Sequence, residues 1–136
     1  MVYPMFALVL LTFAVLVILF RARVAAVRAG RLSLVYFRLY QGEDEPESTK
    51  KPARHVANLF ETPVLFYVAC LAAMVAHVDG LAMTLLAWAY VASRYLHAFV
   101  HIRGNRLSRR MRAYFASLLI LLAMWVYLVI AISLRS

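Results

Sequence analysis

Three polar side chains at the head of an apolar stretch are the first residues of this sequence with the types and spacing for chemistry. Arg54, Asn58 and Glu61 are spaced i, i+4 and i+7, which places them on one face of a helix. An uncharged run, residues 62–76, follows directly. Ionisable groups at membrane depth are costly and are kept mainly where they face a protein interior or a wet cavity. We therefore expect this face to lie against a partner surface.

A second polar face lies on the next apolar segment. Arg94, His97 and His101 are spaced i, i+3 and i+7 near the end of that segment, so a helix places them on one side as well. The simplest interpretation is that Glu61 pairs with Arg94, or with another arginine of the bundle, so that both charges enter the protein together. Asn58, His97 and the arginines of the connections would still be available to a polar, anionic ligand.

A basic stretch, residues 103–112, leads into the last apolar segment. Topology explains most of its arginines, since cationic residues mark the cytoplasmic side of a membrane and contact anionic headgroups. Arg110 differs because it shares a helical face with Tyr114 and Ser117. We therefore single out Arg110 as a candidate functional cation.

Other site chemistries find little support in the sequence. His97 and His101 have the i, i+4 spacing of a chelating pair, but the segment HAFVH lacks the glutamate of a zinc-protease helix and no third ligand is evident. No metal site is predicted. A phosphate-binding glycine loop, the paired acids of a glycosidase and a nucleophile elbow are also missing from the sequence.

Composition indicates an integral membrane protein. Of the 136 residues 65% are hydrophobic and only 15% are charged, which is unusual for a soluble domain. The net charge of +9 does not indicate nucleic-acid binding, because the basic residues fall between apolar runs and no nucleic-acid-binding motif is present. Cys70 is the single cysteine, so no intrachain disulfide can form. No basic residue precedes the N-terminal apolar run, so it is predicted to be a retained helix.

The apolar runs predict an all-α, up-and-down four-helix bundle in one transmembrane domain, residues 1–136. Between the first two helices, residues 32–40 are expected to form a short interfacial helix and residues 41–52, rich in acid and proline, an exposed loop. Pro52 is expected to mark the start of the second helix, Pro63 to kink it, and residues 77–80 to form a tight turn. The predicted helices are residues 2–27, 52–77, 81–102 and 107–134.

The distribution of basic residues predicts the orientation. The first and third connections hold nearly all lysines and arginines, whereas the turn at residues 77–80 holds none. The positive-inside rule then places both termini away from the cytoplasm and the polar helix ends near the cytoplasmic face. The compact loops favour a bacterial origin, in which case the protein would lie in the inner membrane.

The ordered set of polar residues resembles the MAPEG family (membrane-associated proteins in eicosanoid and glutathione metabolism), which includes the microsomal glutathione transferases, leukotriene C4 synthase and membrane prostaglandin E synthase. The family's first helix closes with an arginine in an R-x-R context, and its second carries R-x-x-x-N-x-x-E. Its third has an arginine followed at three and seven residues by histidine or tyrosine, and its fourth an arginine with a tyrosine four residues on. The matching residues, in order, are Arg21; Arg54, Asn58 and Glu61; Arg94, His97 and His101; Arg110 and Tyr114.

The resemblance implies a homotrimer that binds glutathione between neighbouring subunits near the cytoplasmic face. It implies that Arg110 stabilises the thiolate, since a nearby cation lowers the pKa of a thiol. The thiolate would attack a lipophilic electrophile that arrives from the bilayer. The residues implied to contact glutathione are Arg21, Arg54, Asn58, Glu61, Arg94, His97, His101 and Tyr114.

Two other functions are open at this point. The family also includes members without catalysis, such as the lipoxygenase-activating protein, so a lipid-binding or scaffold protein is an alternative. A small multidrug or ion transporter is a third class, because four short helices can form one. Such transporters usually carry a charge deep in the bilayer, whereas here the charges lie near one face.

Overall fold

The structure is a computed structural model that describes residues 1–40, 44–103 and 107–135. Within these ranges it leaves out the side chains of Leu39, His101, Ile102, Arg103, Leu107, Arg109 and Arg110. The regular elements of the described part are all helices, so the predicted all-α class is confirmed. In chain order they are α1 (Val2–Arg28), α2 (Tyr36–Leu39), α3 (Glu47–Val75), α4 (Leu81–Arg103) and α5 (Leu107–Ser133).

Five helices are thus described where four were predicted, because the interfacial segment contains the single turn α2. The other four helices have between 23 and 29 residues and correspond to the four predicted ones. Among the described residues, three stretches are long and apolar enough to cross a membrane, namely Val2–Arg28, Glu47–Val75 and Met111–Ser133. The second half of α4 carries Ser93, Arg94 and His97, which lowers its hydropathy.

The start of α3 differs from the prediction by five residues. The helix begins at Glu47, and Pro46, in extended conformation, is its N-cap. The Thr49 hydroxyl donates to the Pro46 carbonyl at 2.8 Å, and the Glu47 carboxylate lies in the first turn, where it complements the positive end of the helix dipole. Pro46, and not Pro52, is therefore the proline that marks the boundary. Residues 47–52 are helical, and α3 continues through both Pro52 and Pro63.

The C-termini of α1 and α3 close with the same left-handed turn. Gly30 follows α1 with φ 67°, and His77 follows α3 with φ 54°. At α3 the His77 amide donates to the Met74 carbonyl at 3.2 Å and the Val78 amide to the Ala73 carbonyl at 2.8 Å. These two hydrogen bonds define a Schellman motif, and an equivalent pair closes α1. The tight turn predicted at residues 77–80 therefore lies between the end of α3 and the start of α4.

The apolar core is formed by buried residues of α1, α3, α4 and α5. Phe66 and Tyr90 are fully buried and stack with ring centroids 4.6 Å apart and an interplanar angle of 16°. Toward the α3–α4 turn the core contains Ala69, Ala73 and Ala87, which are all fully buried; small side chains allow helices in a membrane to approach closely. In the opposite direction the core becomes polar.

α1 and α5 contribute to this core and pack on different helices. α1 packs chiefly on α3, and α5 chiefly on α4. The Tyr95 hydroxyl donates to the Ala7 carbonyl at 2.8 Å, which joins α4 to α1. Arg135, just after α5, donates through Nη1 to the carbonyls of Ala76 at 3.3 Å and His77 at 2.6 Å. The end of α5 therefore satisfies the exposed carbonyls at the end of α3.

We predict that the left-handed positions closing α1 and α3 respond in opposite directions to substitution. A non-glycine residue in this conformation costs about 1–2 kcal/mol, whereas the extra freedom of an unfolded glycine costs only about 0.5–1 kcal/mol. His77→Gly should therefore raise the free energy of unfolding by roughly 0.5–1 kcal/mol. Gly30→Ala, where an added Cβ meets no atom within 4 Å, should lower it by a similar amount. Thermal unfolding in detergent measures both, and changes of the same sign would contradict the prediction.

Candidate functional site

The centre of the polar end of the bundle is a buried cation. Arg94 is 0% exposed, and its Nη2 donates to the backbone carbonyl of Asn58 on α3 at 3.0 Å. In the described part of the chain, its buried Nε and Nη1 atoms have no hydrogen-bond partner. A charged side chain that is buried away from water loses its hydration, so polar or charged neighbours must stabilise it. Arg94 is therefore a positive charge with two donors still available inside the protein.

A small cavity opens where α3, α4 and α5 meet, and Asn58, whose carbonyl accepts the hydrogen bond from Arg94, is one of its lining residues. It has a volume of about 170 Å³ and is lined by Asn58, His97, Met111 and Tyr114. Three of these four residues were predicted as site residues from sequence. An amide, an imidazole and a phenol therefore converge in this cavity, an arrangement that suits a polar ligand.

His55 belongs to the same cluster, although sequence analysis gave it no role. It is 0% exposed, and its ring centroid lies 5.4 Å from that of His97 with an interplanar angle of 31°. The His97 ring lies 5.8 Å from the ring of Tyr114. His55 thus begins a row of three rings that reaches the cavity. The available signal was its register, since it precedes Leu59 and Thr62 on the buried side of α3.

The expected ion pair between Glu61 and Arg94 is wrong. In the described part of the chain the ion pairs within 4.0 Å are Lys50–Asp44 and Lys51–Glu47. Glu61 is exposed on the single chain, whereas Arg94 bonds to a backbone carbonyl. The physical reason is register: Arg94 faces the α3–α4 contact, and Glu61 lies outside it.

The remaining predicted residues of α3 and α1 lie away from the cavity wall. Arg54 is exposed, and its carbonyl accepts a hydrogen bond from Asn58 Nδ2 at 3.0 Å. Arg21 is exposed near the end of α1 and lines a separate surface pocket. Within one chain the side chains of Arg54, Glu61 and Arg21 therefore do not line the cavity.

The structure does not describe the side chains of two predicted site residues. His101 lies on α4 and Arg110 on α5, and their contacts are not described. Arg110 directly precedes Met111, which lines the cavity. Among the described residues no group of three or more His, Cys, Asp or Glu side chains has the arrangement of a metal site.

A second, apolar cavity lies between α1 and α3. Its volume is about 440 Å³, larger than that of the polar cavity. Tyr67 and Thr12 give it two hydroxyl groups, and the other lining side chains are hydrocarbon. The lining residues are Val9, Thr12, Phe13, Leu16, Leu59, Phe60, Val64 and Tyr67.

Comparison with known proteins identifies a family. The family model described as "MAPEG family" matches residues 1–130 of the chain. No curated protein and no solved structure matches.

We predict that Arg94→Met leaves the fold as stable as the wild type or makes it more stable. A buried charge replaced by an apolar side chain of similar length loses its desolvation cost; when buried ion pairs are replaced in this way the change is often neutral or stabilising by about 1–4 kcal/mol. Thermal unfolding in detergent is the measurement, with exposed Arg112→Met as the matched control, where a change within about 0.5 kcal/mol is expected. A large loss of stability in Arg94→Met alone would show that the guanidinium holds the bundle together.

We also predict that His55 positions His97 for ligand binding. His55→Ala removes the ring that packs on His97, so the affinity for glutathione, the ligand that the resemblance implies, should fall by about tenfold, the equivalent of one hydrogen bond. His55→Phe keeps a ring of similar shape and should retain most of the affinity. Calorimetry measures both, with His77→Ala as the control for loss of an imidazole elsewhere. Equal losses of glutathione affinity in His55→Ala and His55→Phe would show that His55 does not act by packing on His97.

Proposed function

The chain belongs to the MAPEG family, and on that premise we propose that it is a membrane-bound, glutathione-dependent transferase or peroxidase acting on lipophilic electrophiles. Family membership, together with the three stretches that can span a bilayer, makes it a multi-pass integral membrane protein. The observation that carries the proposal is the cavity lined by Asn58, His97, Met111 and Tyr114.

The donors of this site fit the chemistry of glutathione. The tripeptide carries two carboxylates, two amide groups, an amine and a thiol. Guanidinium groups bind carboxylates with paired hydrogen bonds; by resemblance Arg21 and Arg54 would supply them, whereas Arg94 is fully buried and is not among the residues that line the cavity. The Asn58 amide and the Tyr114 hydroxyl can bind peptide groups or the sulfur. These groups support binding of a small anionic thiol.

The size of the cavity supports an assembly of several copies. Pockets for ligands of drug size enclose about 300–1,000 Å³, and one chain encloses only about 170 Å³ here. Arg54, Glu61 and Arg21 are exposed in the single chain, although charged groups on a membrane-spanning helix normally face protein. We therefore propose a homotrimer in which neighbouring copies complete the site, with these three residues contributing to it.

The proposed reaction begins with the glutathione thiol. Arg110, by resemblance the thiolate-stabilising cation, would favour loss of the thiol proton to water. With a carbon electrophile the thiolate forms a carbon–sulfur bond, and the leaving group departs with its electron pair. With a hydroperoxide the sulfur takes the terminal oxygen, the O–O bond breaks, and the alkoxide is protonated to the alcohol. The resulting sulfenic acid reacts with a second glutathione to give the disulfide and water.

The proposed orientation follows from charge. The basic connections would lie in the cytoplasm and both termini on the other side, so the site would lie near the cytoplasmic face. In a bacterium this is the inner membrane.

A non-catalytic lipid-binding or scaffold protein is the second candidate. The apolar cavity between α1 and α3, at about 440 Å³, favours it, because this is the larger of the two cavities and opens between two helices that can cross the bilayer. The thioether of Met111 in the wall of the polar cavity is a weaker partner for a thiolate than a hydroxyl donor. Bound lipid without turnover of any thiol would support this alternative.

We predict that Arg110→Ala lowers turnover of glutathione with a chlorodinitrobenzene by about 10²-fold or more, the usual effect of removing one preorganised charge-stabilising group. Arg112→Ala, which removes a charge two residues further along α5, should retain activity. Size-exclusion chromatography should show the same oligomer for both. Steady-state kinetics measures turnover, and unchanged turnover in Arg110→Ala would remove the role assigned to Arg110. Calorimetry measures glutathione binding, and no binding by the wild type would favour the lipid-binding alternative.

A further inference from the structure

The end of α1 is attached to α2 by an arginine that the proposed reaction does not use. The guanidinium carbon of Arg23 lies 5.4 Å from the ring centroid of Phe37 and 5.9 Å from that of Tyr40, distances typical of cation–π contacts. We propose that Arg23 is a positioning residue, which holds the end of α1 so that Arg21 points toward the thiol ligand. The inference rests on the proposed function, in which Arg21 contributes to the site.

The end of α1 is buried against the α2 segment and not against the apolar core. Beyond Leu19, Ala26 is the only buried residue of α1. Ala26 forms a separate cluster with Leu32 and Tyr36, and none of the three belongs to the core shared by α1, α3, α4 and α5. The direction in which this end of the helix extends therefore depends on how α2 is attached to it.

α2 offers Arg23 a preformed aromatic surface. The rings of Tyr36, Phe37 and Tyr40 meet edge to face, with centroids 5.3 Å, 5.7 Å and 6.3 Å apart, an arrangement that aromatic side chains prefer. Tyr36 is only 7% exposed, and its amide donates to the Ser33 hydroxyl oxygen at 3.2 Å. Because the rings contact one another and Tyr36 anchors them, Arg23 meets a surface with a fixed position.

The contact of Arg23 also determines the direction of Arg21. Residues two apart on an α-helix are separated by about 200° around its axis, so Arg21 points away from α2 when Arg23 points toward it. A rotation of the helix end that broke the cation–π contact would move Arg21 by the same angle. The contact lies within one chain, whereas Arg21 extends to the site that neighbouring copies are proposed to complete.

The same cluster reaches the start of α3. Burial and the carboxylate of Glu45 raise the pKa of Tyr36, and the guanidinium of Arg23 acts on it in the opposite direction. Both charges therefore lie near the phenol. Glu45 lies just before the N-cap of α3, the helix that carries Asn58 of the polar cavity. The α2 segment consequently connects two helices that carry predicted ligand contacts.

Calorimetry of glutathione binding to the detergent-purified protein tests the proposal. Arg23→Gln removes the cation and should lower the affinity about tenfold, the lower end of what one charge-assisted hydrogen bond contributes. Arg23→Lys keeps a cation over the rings and should retain part of the affinity, whereas Phe37→Leu removes a ring and should lose affinity. The matched control is Arg38→Gln, which removes an exposed cation of α2 and should bind glutathione as the wild type does.

A double-variant cycle shows whether Arg23 acts through Arg21. Arg21→Gln alone should weaken glutathione binding. Arg23→Gln should weaken it no further in that background, because the side chain that it positions is already lost. Hydrogen exchange gives a readout without glutathione: the amides of residues 32–40 should exchange faster in Arg23→Gln and at the wild-type rate in Arg21→Gln.

Several results would overturn the proposal. Losses that add in the double variant would mean that Arg23 acts independently of Arg21. Unchanged exchange of residues 32–40 in Arg23→Gln would mean that the contact does not hold α2. Loss of binding in Arg21→Gln but not in Arg23→Gln would overturn this inference alone, whereas no glutathione binding by the wild type would overturn the proposed function together with it. Thermal unfolding checks that each variant is folded.

Discussion

The cost of placing a guanidinium in an apolar environment constrains this structure more than any other interaction. Arg94 is fully buried between α3 and α4 and has one described hydrogen bond, to the carbonyl of Asn58. An ion in that position needs polar neighbours, because its desolvation is otherwise not offset. The neighbours are present: His97 on the same helix, His55 across the contact, and Tyr90 and Thr62 joined by a hydrogen bond of 3.4 Å. The polar end of the bundle is thus organised around a single charge, and the apolar core is filled by large side chains such as Leu8, Phe66 and Met124.

Much of the architecture could be predicted because it follows from local rules. The apolar runs gave the four long helices, and the turn at residues 77–80 lies where the sequence placed it. The start of α3 could not be predicted from Pro52 alone. Two prolines compete there, and the helix begins at the one whose extended backbone suits an N-cap, Pro46. A left-handed histidine at residue 77 also escapes prediction, since glycine is the residue expected in that position.

The candidate site, like the fold, could be predicted where local spacing decides and could not where packing between helices decides. Helical spacing was enough to place Asn58, His97 and Tyr114 on faces that could converge, and the structure brings them to one cavity. Spacing could not decide which polar residues meet across helices. Spacing suggested Glu61 as the partner of Arg94. In the structure the register of α3 turns Asn58 and His55 toward α4 and leaves Glu61 outside the α3–α4 contact. The rotation of a helix about its own axis is a tertiary property, set by which neighbours it packs against.

The rotation of α3 about its own axis also explains how this helix lines both a polar and an apolar cavity. Asn58 and Leu59 are consecutive, and successive side chains on an α-helix point about 100° apart. Asn58 lines the polar cavity and Leu59 the apolar cavity between α1 and α3. A single turn of α3 therefore separates a compartment suited to an anionic thiol from one suited to hydrocarbon. For the proposed transferase, this keeps the thiolate next to cations and away from lipid, while the electrophile remains in the apolar medium from which it arrives. The two reactants would then meet only where the compartments adjoin, at the level of α3 that Asn58 and Leu59 define.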